Sequence, residues 1–336
     1  MAWLTFCLSA AVIIAAAIKL AEYGDAIAYR TGLGQLFIGA LLLAGATSAP
    51  ELLTMISSIR QGHVDLTAGD LFGSSMFNML LLGVLDIAFH QTRILRRVAL
   101  RHALTASLGT LLTGMAVFFI LADVKWMIGW INVDSLVMIA VYVVGVWLLR
   151  RNPVTASPLD AAPAAAEPEE EAAGIPSLRR AVIGFAAATA VLVLVVPWMV
   201  RSGSQIAEQS GLGDGFVGIL LIAIVTSLPE LVAMISAVRL RAYDIAVGNL
   251  FGSNIFNMFA LATADIVYTD GNFFDAINPA FGLAGLLAML LTTLGLIGNL
   301  AQVERRIWIV ELDALLLILG YVLGMYLLYL RGVGGA

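Results

Sequence analysis

The chain has 336 residues, of which 61% are hydrophobic and 12% charged. That balance excludes a soluble globular domain and leaves a polytopic helical membrane protein, because hydrocarbon tolerates only helices or closed barrels and the long apolar runs lack period-two alternation. A net charge of −5 with basic residues scattered at helix ends excludes nucleic acid as a partner. The single Cys7 excludes an intrachain disulfide or thiolate metal site, and the three histidines (His63, His90, His102) are not spaced as ligand pairs.

Ten spans are expected, five on each side of a polar linker, at about 3–22, 33–59, 65–89, 98–121, 132–150, 178–200, 212–238, 244–268, 277–299 and 307–330. The first apolar run has no charged leader region or small-residue cleavage site and reads as a retained helix. Three parts follow: a first repeat over 1–151, a disordered cytoplasmic tether over 152–177 and a second repeat over 178–336. The tether is rich in Pro and Ala and carries Glu167, Glu169, Glu170 and Glu171, a composition that stays solvated. With the N-terminus outside, 14 of the 18 Lys and Arg residues fall on cytoplasmic segments, so both termini are expected outside. For a bacterial source, the membrane is the cytoplasmic one.

The halves repeat. Thr47-Ser-Ala-Pro-Glu51 returns as Thr226-Ser-Leu-Pro-Glu230 at an offset of 179, and half of the 44 aligned pairs between positions 44 and 87 are identical. Thr31-Gly-Leu-Gly also aligns with Ser210-Gly-Leu-Gly. Because each half holds an odd number of spans, the two repeats are expected to be inverted, with a substrate site near the midplane where they meet.

A carboxylate at bilayer depth is costly and marks a functional site, and here Glu51 and Glu230 occur in duplicate with no Lys or Arg in the helix centres to pair with them. Pro50 and Pro229 are read as mid-helix, freeing the carbonyls of Ala46 and Val225 and loosening those of Ala44, Thr47, Ala223 and Thr226. Thr47 and Glu51 stand four apart, as do Thr226 and Glu230; so do Ser74 and Asn78, and Ser253 and Asn257. These groups are all hard oxygen ligands, which suits Ca²⁺, Mg²⁺ or alkali ions and not Zn²⁺ or copper. Two bidentate glutamates and two threonine carbonyls would supply six oxygens, within the range Ca²⁺ takes. Gly69, Gly73, Gly248 and Gly252 are read as sites of close helix approach.

Thr-Ser-x-Pro-Glu followed by Phe-Gly-Ser-x-x-Phe-Asn, present in both halves, resembles the α-repeats of sodium/calcium exchangers in the cation/calcium antiporter superfamily. The resemblance implies that Ca²⁺ is held by Glu51, Glu230 and the Thr47 and Thr226 carbonyls. It implies that Na⁺ uses these groups with Ser48, Ser74, Ser227, Ser253 and the carbonyls of Ala44 and Ala223, while helices 1 and 6 slide to alternate access. The Gly-Asn-x-x-Glu signature usual in calcium/proton exchangers is missing. Two departures stand out: both Phe-Asn positions are amides, Asn78 and Asn257, and the first repeat reads Gly69-Asp70 where the second reads Gly248-Asn249. Asp70 is read as a carboxylate at a wet helix end, facing Arg60, with a place in the cation path as the alternative. Asp86 and Asp265 receive the same wet-end reading, and Glu311 and Asp313 open the last helix at the interface.

The expected function is secondary antiport of Ca²⁺ against Na⁺ by alternating access, with H⁺ or another monovalent cation as the alternative driver. A channel would need weak sites in series, and a hydrolase a nucleophile or oxyanion hole; neither pattern is present. No cofactor is expected. The partners are the transported ions, Ca²⁺ and Na⁺, and the lipid bilayer.

Overall fold

The computed structural model describes residues 1–31, 45–88, 94–122, 124–151, 175–239, 243–301, 306–307 and 310–333. Most of the linker and Ala44 lie outside these residues. The helices are α1 (Ala2–Thr31), α2 (Ala49–Arg60), α3 (Val64–Ala88), α4 (Ile94–Ala122) and α5 (Val133–Arg151), then α6 (Leu178–Ser210), α7 (Asp214–Arg239), α8 (Tyr243–Val267), α9 (Phe281–Ala301) and α10 (Leu312–Leu330). Eight of the described helices are long and apolar enough to cross a membrane. The protein is an all-α membrane protein, as composition requires.

Burial sorts the helices. α3 buries 78% of its most apolar window and α8 72%, against 22% for α6. The central pair is therefore coated by protein, and α6 by lipid. Phe72 and Phe251, equivalent in the repeat, sit at 0% and 1% exposure in the main apolar core. α4 packs on α8 and α9, α9 and α10 pack on α3, and α5 packs on α8. α1 and α6 lie against each other around a second apolar cluster that includes Phe6, Ile13, Leu192 and Val200. Their outer faces present Trp3, Leu8, Leu194 and Trp198, as a bilayer-facing surface does. At 33 residues α6 is longer than the sequence suggested; its length of about 50 Å exceeds a hydrocarbon core of about 30 Å.

Two hairpins extend the repeat beyond its motifs. β1 (Met127–Ile128) pairs with β2 (Ile131–Asn132) before α5, and β3 (Arg306–Ile307) with β4 (Val310–Glu311) before α10. The registers Met127↔Asn132 and Arg306↔Glu311 coincide at the offset of the repeat. Asp265 accepts from Asn132 N at 2.6 Å, Asn132 Nδ2 at 3.0 Å and Phe273 N at 3.0 Å, tying β2 to the end of α8. Its repeat equivalent Asp86 lies beside Glu311 and Asp313, with one oxygen of each within 4.8 Å of the others. The wet-end reading of Asp86 and Asp265 is thus corrected: both are buried, because the hairpins fold over the helix ends.

The turn between α2 and α3 is fastened to the start of α7. His63 Nδ1 lies 2.7 Å from Asp214 Oδ2 and 3.4 Å from Ser204 Oγ of α6. The hydrogen bond to Asp214 raises the His63 pKa, with further help from the charges of Asp214 and Glu208, against a lowering by partial burial. A raised folded-state value means this contribution is complete below the unfolded histidine value, about 6.5, and fades as pH climbs through the higher folded value. We predict that the melting temperature of the wild type falls over that window, and that His63→Gln removes this part of the pH dependence. An unchanged pH profile in the variant would refute the linkage.

Candidate cation site

The two Thr-Ser-x-Pro-Glu segments are places where a helix stops and restarts. Ser48 has φ −87° and ψ 11°, and Ser227 has φ −88° and ψ 4°. Both fall in the sparsely populated region between helix and strand. Pro50 and Pro229 occupy the first turn of the restarted segments Ala49–Arg60 and Leu228–Arg239, where a missing N–H costs nothing. This corrects the mid-helix reading: the interruption falls at the serine, and the proline helps to start the second segment. Glu51 and Glu230 therefore sit in first helical turns, where the N-terminal dipole favours negative charge. α7 carries a further irregularity just before, the π-helical turn Gly218–Ile222.

Each carboxylate is reached from the opposite half. Ser48 Oγ donates to Glu230 Oε1 at 2.9 Å, and its repeat equivalent Ser227 Oγ donates to Glu51 Oε1 at 3.3 Å. Ser253 Oγ adds a second donor to Glu230 Oε1 at 3.2 Å. The other oxygens, Glu51 Oε2 and Glu230 Oε2, are buried without a hydrogen-bond partner.

Asp70 belongs to this group, which corrects its placement at a wet helix end. It is fully buried, and its Oδ1 accepts from Thr226 Oγ1 at 2.9 Å. The start of α3 is deep because Gly69 and Gly73 let it lie directly on α7. A Cβ on Gly69 would strike Gly215 O, and one on Gly73 would come within 2.6 Å of Ile219 O. Gly248, by contrast, meets the His102 ring. Ser74 Oγ lies 3.3 Å from Thr226 Oγ1 and 3.4 Å from Ala223 O. In the equivalent place of the other half, Thr47 Oγ1 faces Asn249 Oδ1 at 3.5 Å.

The amides divide differently from the expectation. Asn78 Nδ2 donates to Asn254 Oδ1 at 2.9 Å, and Asn254 Nδ2 to Ser75 O at 3.3 Å, so these residues clasp α3 to α8. Asn257 is buried with neither polar atom partnered. Asn254 was not singled out from the sequence, and Asn249 only as the counterpart of Asp70, although both lie within the repeated motif.

Among the described residues, no basic side chain forms an ion pair with Glu51, Asp70 or Glu230. Desolvating carboxylates costs several kcal/mol each, at order of magnitude, so an uncompensated trio calls for cations. Three buried carboxylates and their hydroxyl neighbours, gathered at two interrupted helices from two related halves, make this a candidate cation site.

The comparisons fix the class. The chain belongs to the sodium/calcium exchanger protein family, whose pattern matches residues 1–150 and 180–331. It is a cation/Ca²⁺ antiporter and not an enzyme. It is 28% identical over 262 residues to the Ca²⁺/H⁺ antiporter ChaA of Bacillus subtilis, covering 75% of this chain and 73% of that one. Its fold resembles that of the H⁺/Ca²⁺ exchanger CAX, with a TM-score of 0.64 at 16% identity over 99% of this chain and 89% of that one. The sodium-calcium exchanger NCX_Mj superposes with a TM-score of 0.56 at 17% identity, covering 97% of each chain.

Proposed function

We propose that this antiporter exchanges Ca²⁺ for Na⁺, with Ca²⁺ held between Glu51 and Glu230. The observation that carries the reading is the crossed pair Ser48–Glu230 and Ser227–Glu51, which leaves one buried oxygen of each glutamate without a partner. The Thr47 and Thr226 carbonyls would complete the Ca²⁺ shell. On the return stroke Na⁺ would use the same carboxylates with the hydroxyls of Ser48, Ser74, Ser227 and Ser253 and the carbonyls of Ala44 and Ala223. Asn78 and Asn257 stand beside the site as neutral ligands or spacers. Neutral oxygens around each carboxylate support Na⁺, since a proton needs only the carboxylate itself.

Coupling follows from charge. An empty site would carry bare carboxylates through a dehydrated state, so reorientation is favoured when cations are bound. α1 and α6 pack more extensively on each other than on any other helix, which supports movement of that pair over the rest. The distribution of Lys and Arg supports both termini outside. Proton exchange is the second reading, favoured by the likeness to ChaA over three quarters of the chain. In proteoliposomes with outward Na⁺, K⁺ or H⁺ gradients imposed in turn, we expect Ca²⁺ uptake to follow the Na⁺ gradient. Uptake driven by H⁺ alone would overturn Na⁺ in favour of the second reading.

A further inference from the structure

The approach to the acids is polar in one half of the protein only. Thr54, Ser58 and Thr67 are each fully buried, and none of their hydroxyls has a hydrogen-bond partner. A helical Ser or Thr can satisfy itself on the carbonyl four residues back. Thr113 and Thr292 do so here, on Gly109 O and Ala288 O, each at 2.8 Å. The three orphans forgo that bond, and a buried hydroxyl without a protein partner calls for water or an ion.

Their positions are ordered. On α2, Thr54 and Ser58 follow Glu51 by three and seven residues, so one helix face carries all three over about 10 Å. On α3, Thr67 precedes Asp70 by three residues and Ser74 by seven, again on one face. α2 and α3 pack on each other, and both stripes run from the acids toward the turn at 61–63. That turn reaches the surface: Gly62 is exposed, and Gln61 and His63 are partly so. In the other half, the equivalents of Thr54, Ser58 and Thr67 at the offset of 179 are Ala233, Ala237 and Ala246. The repeat that duplicates the glutamates does not duplicate these hydroxyls.

We propose that Thr54, Ser58 and Thr67 line a water-filled passage from the α2–α3 turn to the acids, where their hydroxyls replace part of the hydration shell of a passing metal cation. Hard oxygens suit Ca²⁺ and alkali ions alike, and donors without charge hold an ion weakly enough to release it. The matching positions on α7 and α8 are dry. The passage adds a route to the proposed exchange, and it rests on the reading that ions bind at Glu51 and Glu230.

The test reads hydration directly and needs no transport. In purified full-length protein carrying Cys7→Ser, single thiols are introduced by Thr54→Cys, Ser58→Cys or Ala237→Cys. Each variant is exposed to aminoethyl methanethiosulfonate, a small cationic reagent that thiolates attack, and modification is followed by the mass of the intact protein. A thiol in apolar surroundings stays protonated and inert. We expect both passage positions to react about tenfold faster than position 237, the effect of one pKa unit on the thiolate fraction. Static burial gives the opposite order, since Ser58 is 0% exposed and Ala237 7%. Reaction at both passage positions no faster than at position 237 overturns the inference. The paired change Thr54→Val with Ser58→Ala removes two hydroxyls and keeps the packing. We expect it to slow Ca²⁺ uptake about tenfold, the worth of one or two ordinary hydrogen bonds, with equilibrium Ca²⁺ affinity unchanged. If the hydroxyls are dry, their apolar replacement removes unpaired groups, and a raised melting temperature with normal uptake overturns the inference. Should Glu230→Gln transport Ca²⁺ like the wild type, the central site and the passage fall together; inert thiols at 54 and 58 with Glu230→Gln inactive remove the passage alone.

Discussion

Glu51→Gln and Glu230→Gln are each expected to abolish Ca²⁺ exchange while leaving the protein folded. Either change keeps the shape of the side chain and removes one of two charged groups proposed to meet at the ion. Removing one member of a buried charge pair costs about 3–5 kcal/mol, or roughly two to three and a half decades in affinity. In ion-free protein the sign reverses, because Glu51 Oε2 and Glu230 Oε2 are buried without partners and an amide is cheaper to desolvate. We therefore predict that both variants melt no lower than the wild type without Ca²⁺, and that added Ca²⁺ no longer raises their melting temperature. Gradient-driven uptake surviving in either purified variant would sink the shared site.

The second large effect is expected from one methyl group. A Cβ on Gly73 would stand 2.6 Å from Ile219 O, 2.7 Å from Ala223 Cβ and 2.8 Å from Ile219 Cα. Two of these atoms are backbone, and none is the end of a flexible side chain, so α3 and α7 must move apart. Overpacking of this kind costs about 1–3 kcal/mol. The displaced backbone carries Ala223 O and Thr226, so transport should suffer more than stability. We predict that Gly73→Ala loses most Ca²⁺ exchange, whereas Gly109→Ala does not. At Gly109 the new methyl meets only Ile255 Cγ1, at an ordinary 3.6 Å. Equal activity in the two variants, measured on equal amounts of folded protein, would refute the close-approach argument.

Much of this arrangement can be read from residue types. Hydropathy and the repeat offset are enough to anticipate an all-helical membrane protein in two inverted halves, and intramembrane acidity draws attention to Glu51 and Glu230. The i, i+4 rule correctly groups Asp70 with Ser74 on one face of α3. Burial is what it misses: Asp70 is near the start of its helix, but Gly69 on α3 and Gly218 on α7 let that start lie directly on the opening turns of α7. Proline, the loudest signal, misplaces the break. Its ring disfavours helical geometry just before it, but the irregular dihedrals fall at Ser48 and Ser227, residues that carry no steric signature. The hairpins are two residues per strand, too short for any alternation to register. Without them, burial of Asp86 and Asp265 could not be anticipated.

The crossed hydrogen bonds also bear on how the protein is made. Ser227 completes Glu51, Thr226 completes Asp70, and Ser48 completes Glu230. Every one of these contacts joins residues more than 150 positions apart. During synthesis, α2 and α3 leave the ribosome while α7 has yet to be translated, so the newborn first half holds two acids whose hydroxyl donors do not yet exist. Until then water or the insertion machinery must shelter them. Release of the first five helices into lipid is disfavoured until the rest arrive, which makes membrane integration a late, cooperative event for this chain.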